Sequence, residues 1–327
     1  MRKRLIVIYI LLMFLTCSRL EAGTIKVLIL DDVFQNIPAK DEQLEKMGKL
    51  SGDLLVSGTH YAGDIEVMKG KTGMYLINEL PIEEYVKNVV GAEVSSSWDM
   101  EALKVQAVIA RTYALYQRTA AGNATYDLTS SVLHQVYKGN TVDARIAYAV
   151  MNTEGEVLYY NDRLIEALYH STSGGMTEDA SEVFGKSYPY MKPVASNCEI
   201  SPYWMWERRI PVDEMEKALN ISGLKEVSIR SYTSTRRVKT VDVVHSARVT
   251  NLKATDLRKM LGWSRLPSTN FEVTRDNGNF VFEGKGYGHG VGLCQWSALQ
   301  MARDGKNYRE ILSYFYPGTV IKIYENR

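Results

Sequence analysis

Three stretches of the sequence carry residue types that could do chemistry, and the first is built around Glu93. It lies in Val89-Val90-Gly91-Ala92-Glu93-Val94, an apolar run directly ahead of a well-marked helix. A carboxyl in such surroundings is less stable ionised, so its pKa should rise into the range of a general acid. The plainer alternative is a surface glutamate at a strand end or a helix-cap partner, and local sequence by itself weighs toward it. The second stretch is Gly284-Lys285-Gly286-Tyr287-Gly288-His289-Gly290-Val291-Gly292. If extended, its alternating glycines leave one face without side chains, so a ligand or another element must come close to that backbone. Packing against the helix of residues 98–118 and contact with a ligand weigh about evenly. His289 inside the run could bind substrate or satisfy backbone groups. The third stretch, Tyr169-His170-Ser171-Thr172-Ser173-Gly174-Gly175, offers hydroxyls and a flexible backbone to a polar ligand.

Several chemistries are excluded by spacing. The glycine run has neither the Gly-Lys-Ser/Thr ending of a phosphate loop nor the Gly-x-Gly-x-x-Gly of a dinucleotide site. Ser173-Gly174 lacks the Gly-x-Ser-x-Gly of a nucleophile elbow. The five histidines are scattered, His134 and His170 are isolated, and no His-Glu-x-x-His or cysteine pair has metal-ligand spacing, so no metal is expected.

The elements that must position these residues are legible in outline. Residues 95–120 are the strongest helical segment: Ser96 or Ser97 offers a cap, and Asp99 and Glu101 suit the first turn. Leu103, Ala107, Ala110 and Ala114 recur at helical spacing, and Lys104 and Arg111, seven apart, project from one side. Residues 24–80 look β-rich, with Ile25, Val27 and Ile29 alternating and Ile65 and Val67 in a second run. The polar insertion Pro38–Lys49 reads as helix or loop. Thr141–Met151 is a helix candidate, and Glu156–Tyr160 with Arg163–Tyr169 form a hairpin turning at Asn161-Asp162. Strands are expected over 226–250, a helix over 253–262, and a hairpin at Asp276-Asn277-Gly278. Helices Gln295–Asp304 and Tyr308–Phe315, a Pro317-Gly318 turn and a strand Val320–Tyr324 close the chain. The pattern is α+β, with mixed and antiparallel strands around the central helix of residues 97–118; it has no βαβ alternation.

The chain as a whole sets further limits. It has 327 residues, with 39 Lys and Arg against 38 Asp and Glu, so the net charge is +1. That balance removes the electrostatic case for a dedicated nucleic-acid binder. The 21 Tyr and 5 Trp supply aromatic faces with polar edges, of the kind that line sugar-binding grooves, although most tyrosines are half-buried packing. Arg2, Lys3 and Arg4 precede an apolar run, Leu5–Thr16, that is short for a membrane span. Residues 1–22 read as a secretory signal, with an uncleaved N-terminal anchor as the alternative. Lipidation at Cys17 would want a small residue before it, and Thr16 is there instead. Cys198 and Cys294 remain after export; two cysteines allow one disulfide but no framework, and free buried thiols are the simpler reading.

Four segments together resemble the stage II sporulation protein D / amidase enhancer (SpoIID/LytB) family of bacterial cell-wall proteins. They are Leu80-Pro81-Ile82-Glu83-Glu84-Tyr85-Val86 running into Gly91-Ala92-Glu93-Val94; Glu101–Ala107 with Ala110-Arg111-Thr112-Tyr113-Ala114; Tyr169–Gly175; and Gly286–Gln295. They span roughly residues 80–320. The resemblance implies an exported lytic transglycosylase that cuts MurNAc–GlcNAc bonds of peptide-free glycan strands and leaves 1,6-anhydroMurNAc ends. The alternative it implies is a non-catalytic amidase enhancer or glycan-binding module. It places the catalytic acid on Glu93 and substrate-groove residues on Lys104 and Arg111. It further implies groove roles for Tyr190 and Lys192, for Glu199 where the family usually has aspartate, and for Ser171, Ser173, His289 and Gln295, which could instead shape the groove. Some members carry a Cys/His zinc cluster near the segment matching Leu133-His134-Gln135-Val136-Tyr137; here there is no cysteine, so no zinc and no other cofactor are expected. The implied partners are peptidoglycan glycan strands, with an N-acetylmuramoyl-L-alanine amidase as a second candidate, and the implied place is the cell envelope, periplasm or wall. Residues 23–327 would form the catalytic domain, with 24–78 as a candidate β-rich lobe.

Overall fold

The computed structural model describes residues 23–30, 35–39, 42–131, 134–139, 143–246 and 248–325. The N-terminal segment 1–22 lies outside these. Alternating apolar residues set up the first sheet. β1 (Thr24–Leu28), β2 (Glu45–Ser51), the small hairpin β3 (Leu54–Val56) and β4 (Thr59–Tyr61), β5 (Asp64–Lys69) and β6 (Met74–Pro81) follow in order. β6 lies between β1 and β5, antiparallel to both, and β2 forms an outer edge on β5. The polar insertion expected as helix or loop therefore ends as a strand. β2 is almost wholly exposed, so backbone pairing with β5 holds it, and its sequence carries no burial pattern.

The chain passes from β6 into α1 (Ile82–Glu93) without a loop, through Pro81, whose φ of −56° suits a helix entry. Ile82, Tyr85, Val86, Val89 and Val90 bury one face of α1. The long α2 (Met100–Ala121) follows. Its cap is Asp99, whose carboxylate accepts the Glu101 N–H at 3.0 Å. Ser96 and Ser97, expected in that role, lie earlier in the turn, and the Ser97 hydroxyl bonds that of Ser95 instead. An ionised cap gains from the helix dipole as well as the hydrogen bond, which favours Asp99. Leu103, Ala107, Ala110 and Ala114 pack with α1 and β1, while Ala102, Val105, Val108 and Ile109 belong to a second core. The helix is thus central, as the sequence suggests, and the β-rich segment shares its core. β7 (Leu128–Thr129) extends the first sheet parallel to β1.

α3 (Ala144–Met151) leads to the hairpin β8 (Glu156–Tyr160) and β9 (Arg163–Leu164), which turns at Asn161 and Asp162 with φ of 48° and 59°. Short pieces follow: β10 (Tyr169–His170), β11 (Gly175–Met176), α4 (Ala180–Phe184) and β12 (Ala195–Ser196). Residues 205–285 then build a third core of their own. It comprises β13 (Met205–Pro211), α5 (Val212–Leu219), β14 (Leu224–Tyr232), β15 (Val238–His245), β16 (Arg248–Lys253), α6 (Ala254–Leu261), β17 (Phe271–Asp276) and β18 (Asn279–Lys285). The chain returns to the second core through β19 (Leu293–Cys294), parallel to β10, then α7 (Gln295–Arg303) and α8 (Tyr308–Phe315). Finally β20 (Val320–Ile323) pairs with β8. The architecture is α+β. No helix among the described residues is long and apolar enough to cross a membrane.

The glycine run differs from its expected form. Gly284 and Lys285 end β18 in extended form, but beyond them Gly286, Gly288, Gly290 and Gly292 all have positive φ. Val291 shares the second core with α2, but the atoms closest to Gly286, Gly288, Gly290 and Gly292 belong to other segments. A Cβ on Gly292 would lie 2.0 Å from the Leu168 carbonyl oxygen, and one on Gly290 would lie 2.8 Å from the Arg237 guanidinium. The run is shaped to pass close over residues 168–174 and Arg237.

Candidate active site

Glu93 is the last residue of α1, where the helix carbonyls present their negative end. Three donors hold its carboxylate. The Val136 N–H reaches Oε1 at 3.0 Å, Gln295 Nε2 reaches Oε2 at 3.3 Å, and the Tyr169 hydroxyl bonds to it as well. The side chain is partly buried. Burial raises its pKa, and the three hydrogen bonds and the Lys138 charge only partly offset that rise. The groups that hold Glu93 are an amide N–H, a side-chain amide and a phenol; none is a carboxylate.

Each donor is positioned in turn. Gln295 opens α7, and its Nε2 also lies 3.3 Å from Gln106 Oε1 on α2. Gln106 Nε2 is buried and has no hydrogen-bond partner among the described residues. Tyr169 on β10 accepts from Gln135 Nε2 at 3.3 Å, and Gln135 is fixed by the Tyr85 hydroxyl at 3.1 Å and the Ala110 carbonyl at 3.3 Å. Burial and the nearby Glu93 charge keep the Tyr169 phenol protonated, so it remains a donor. His289 acts one step behind. Its Nδ1 accepts the Val291 N–H at 3.0 Å, which leaves Nε2–H to donate to the Tyr169 backbone. Burial lowers its pKa to about 4, so the ring is neutral near pH 7.

The other residues singled out in the sequence fall in different places. Ser171 presents its carbonyl to the Trp296 N–H at 3.2 Å, steadying the start of α7. Ser173 is fully buried, its Oγ 3.3 Å from Cys198 Sγ and its N–H directed at Cys294 Sγ, so it shapes the fold rather than facing a ligand. Tyr190 lines a separate cleft of about 470 Å³ with Tyr160, Arg163 and Leu164, and its hydroxyl accepts the Glu166 N–H at 3.2 Å. The Tyr188 ring packs against Tyr190 at a tilt of 51°, and its hydroxyl donates to the Glu166 carboxylate. Lys192 and Glu199 are exposed on the loop beyond.

Lys104 and Arg111 depart most from the expectation. Lys104 pairs with Glu101 at 2.7 Å and lies over the Tyr308 ring, joining α2 to α8. Arg111 is fully buried. Its Nε and Nη2 clasp both Glu83 oxygens at 2.8 and 2.6 Å, and Nη1 reaches the Glu156 carbonyl. Seven residues do place them two turns apart, but α2 is packed on nearly every side there, so both cations hold neighbouring elements. The groups missed in the sequence are Tyr169 and the Val136 N–H, which donate to Glu93, and Gln135 and Gln106, which stand behind Tyr169 and Gln295. Tyr169 heads a polar segment that was already conspicuous; the others carry no local signal. Among the described residues no group of three or more His, Cys, Asp and Glu side chains could hold a metal ion.

Comparison with known proteins agrees with the segments that carry the resemblance. Residues 70–160 match the model of the family described as Stage II sporulation protein, and residues 191–292 match a domain of unknown function. A stage II sporulation protein D of Bacillus subtilis is 32% identical over 282 residues, covering 80% of each chain. An uncharacterized protein of Brachyspira hyodysenteriae is 34% identical over 279 residues, covering 82% of this chain and 74% of its own. An amidase enhancer of Bacillus subtilis is 30% identical over 292 residues, covering 73% of this chain but 40% of its own.

Proposed function

From the premise that the chain belongs to the stage II sporulation protein D family, we propose that it is a lytic transglycosylase of the cell envelope acting on peptide-free glycan strands. The observation that carries the reading is the setting of Glu93: a carboxyl raised in pKa by burial, gripped by three neutral donors, with no carboxylate among them. A single acid suffices for this reaction. Protonated Glu93 gives its proton to the glycosidic oxygen between MurNAc and GlcNAc as the bond breaks. The carboxylate so formed then accepts the proton of the MurNAc C6 hydroxyl as that oxygen attacks C1 and closes the 1,6-anhydro ring. Because the nucleophile belongs to the substrate, no second carboxylate is needed to activate water. The Val136, Gln295 and Tyr169 donors stabilise the anion between the two transfers. The Tyr190 cleft and exposed Lys192 offer stacking and charge further along a strand.

The test is to incubate the full chain with peptide-free glycan strands and weigh the products by mass spectrometry, beside Glu93→Gln. Anhydro-ended fragments that vanish in the variant support the proposal. Reducing ends would mean hydrolysis and turn attention to a second acid such as Glu199. Folded protein that binds strands without cutting would favour the enhancer reading that the relative's name suggests.

A further inference from the structure

The two buried cysteines are neighbours. Cys198 lies just before the third core and Cys294 just after it, and both are free and fully buried. Their thiols hydrogen-bond each other, and Ser173 bridges them, its Oγ 3.3 Å from Cys198 and its N–H 3.3 Å from Cys294. The segments carrying them are already joined. Thr172 Oγ1 lies 2.6 Å from Ser201 Oγ, closing the turn that holds Cys198, and β10 pairs with β19 at Cys294. From this geometry we infer that Cys198 and Cys294 form a disulfide when the chain folds in an oxidising compartment. The bond would close a loop of about a hundred residues and clamp both stems of the third core to each other.

In the folded chain the two thiols are unequal. The hydrogen bond from Cys294 holds Cys198 below the ordinary thiol range, whereas burial pushes Cys294 up. During folding one of the two cysteines, for example Cys198, attacks as its thiolate a disulfide donor such as oxidised glutathione, breaking its S–S bond and releasing one thiolate. Deprotonated Cys294 then attacks Cys198 Sγ in the mixed disulfide and expels the second donor thiolate. The two cysteines lose two electrons and two protons, and the donor gains both as two thiols. The sulfurs are enclosed in the folded chain, so the exchange belongs to folding, before the third core seats. This cross-link does not depend on the catalytic reading and stands or falls apart from it.

The experiment uses the full chain, refolded in oxidised or reduced glutathione, quenched in acid, alkylated after denaturation and mapped by mass spectrometry. The oxidised sample should weigh about 2 Da less before alkylation. Its Cys198 and Cys294 peptides should be recovered as one linked species that dithiothreitol separates, and its Tm should exceed that of the reduced chain by several degrees. Full alkylation of both cysteines after oxidative refolding would overturn the inference. So would a link from either of them to Cys17. Mapping the unaltered chain makes the result independent of whether a cysteine variant folds.

Discussion

On the proposed mechanism Glu93 gives up a proton and then takes one back, which requires a carboxyl stable enough in both states, and the groups around it suit both. Burial favours the neutral acid, while the Val136, Gln295 and Tyr169 donors keep the anion from becoming prohibitive. Loss of the acid in Glu93→Gln should reduce glycan cleavage by about a thousandfold. The same change should stabilise the protein in one pH range. Between the ordinary glutamate pKa and its raised folded value, the folded chain keeps a proton that the unfolded chain releases, so stability falls as pH rises through that window. Glutamine does not titrate. A thermal melt should therefore find Glu93→Gln gaining on the unaltered chain at neutral pH, with no such gain below the ordinary glutamate pKa. Tyr169→Phe removes a hydrogen bond to the anion, so the Glu93 pKa should rise further. The high-pH fall in cleavage should shift upward in a pH profile, with kcat lowered about tenfold. An unmoved profile would mean that Tyr169 only fills space.

At the scale of elements, cations and glycines set how closely the helices and strands approach. Arg111 ties α2 to α1 and β8, and Arg111→Met would strand the Glu83 carboxylate and the Glu156 carbonyl. Urea unfolding should show a loss of about 3 kcal/mol, with Arg111→Lys recovering only part because a lysine cannot clasp both oxygens. A residue that instead gripped substrate would raise KM and leave the unfolding midpoint alone. Gly292→Ala should abolish folding or nearly so, since the new methyl would meet the Leu168 backbone as well as an unfavourable φ. Gly278→Ala, at an open hairpin turn, should cost only about 1 kcal/mol. These elements also show what sequence reading reaches. Local turn chemistry made the hairpins at Asn161-Asp162 and Asn277-Gly278 legible, and the helical spacing of Leu103, Ala107, Ala110 and Ala114 revealed α2. α1 was hidden by its valines, which read as an apolar stretch although residues 82, 85, 86, 89 and 90 keep helical spacing. Glu93 stands out among its apolar neighbours, although local sequence by itself weighs toward a surface or capping glutamate, and its donors arrive from residues 43 and 202 positions away, which no local pattern encodes.

Across the whole molecule, three cores meet around the segment 168–178. The β14–β15 turn reaches into it: the Thr233 and Thr235 hydroxyls both bond Glu178 at 2.6 Å, and buried Arg237 donates to the Ser173 carbonyl. Arg237 Nη1 finds no partner among the described residues, a cost borne where the third core is fastened. The fastening lies in the same segment as Tyr169, so the seating of that core and the grip on Glu93 share one strip of backbone. A second meeting point lies at the far end of α2. There Arg118 donates to the Thr24 carbonyl at 2.8 Å and to the Tyr324 hydroxyl at 3.1 Å, so one guanidinium touches both ends of the described chain. Arg118 is twelve residues beyond Gln106, about 18 Å along the α2 axis from that side chain. The fold is therefore suited to circular permutation. A short flexible linker joining Tyr324 to Thr24, with new termini opened at the exposed turn Asn277-Gly278, should yield a protein that melts as one unit and cleaves glycan at an undiminished rate.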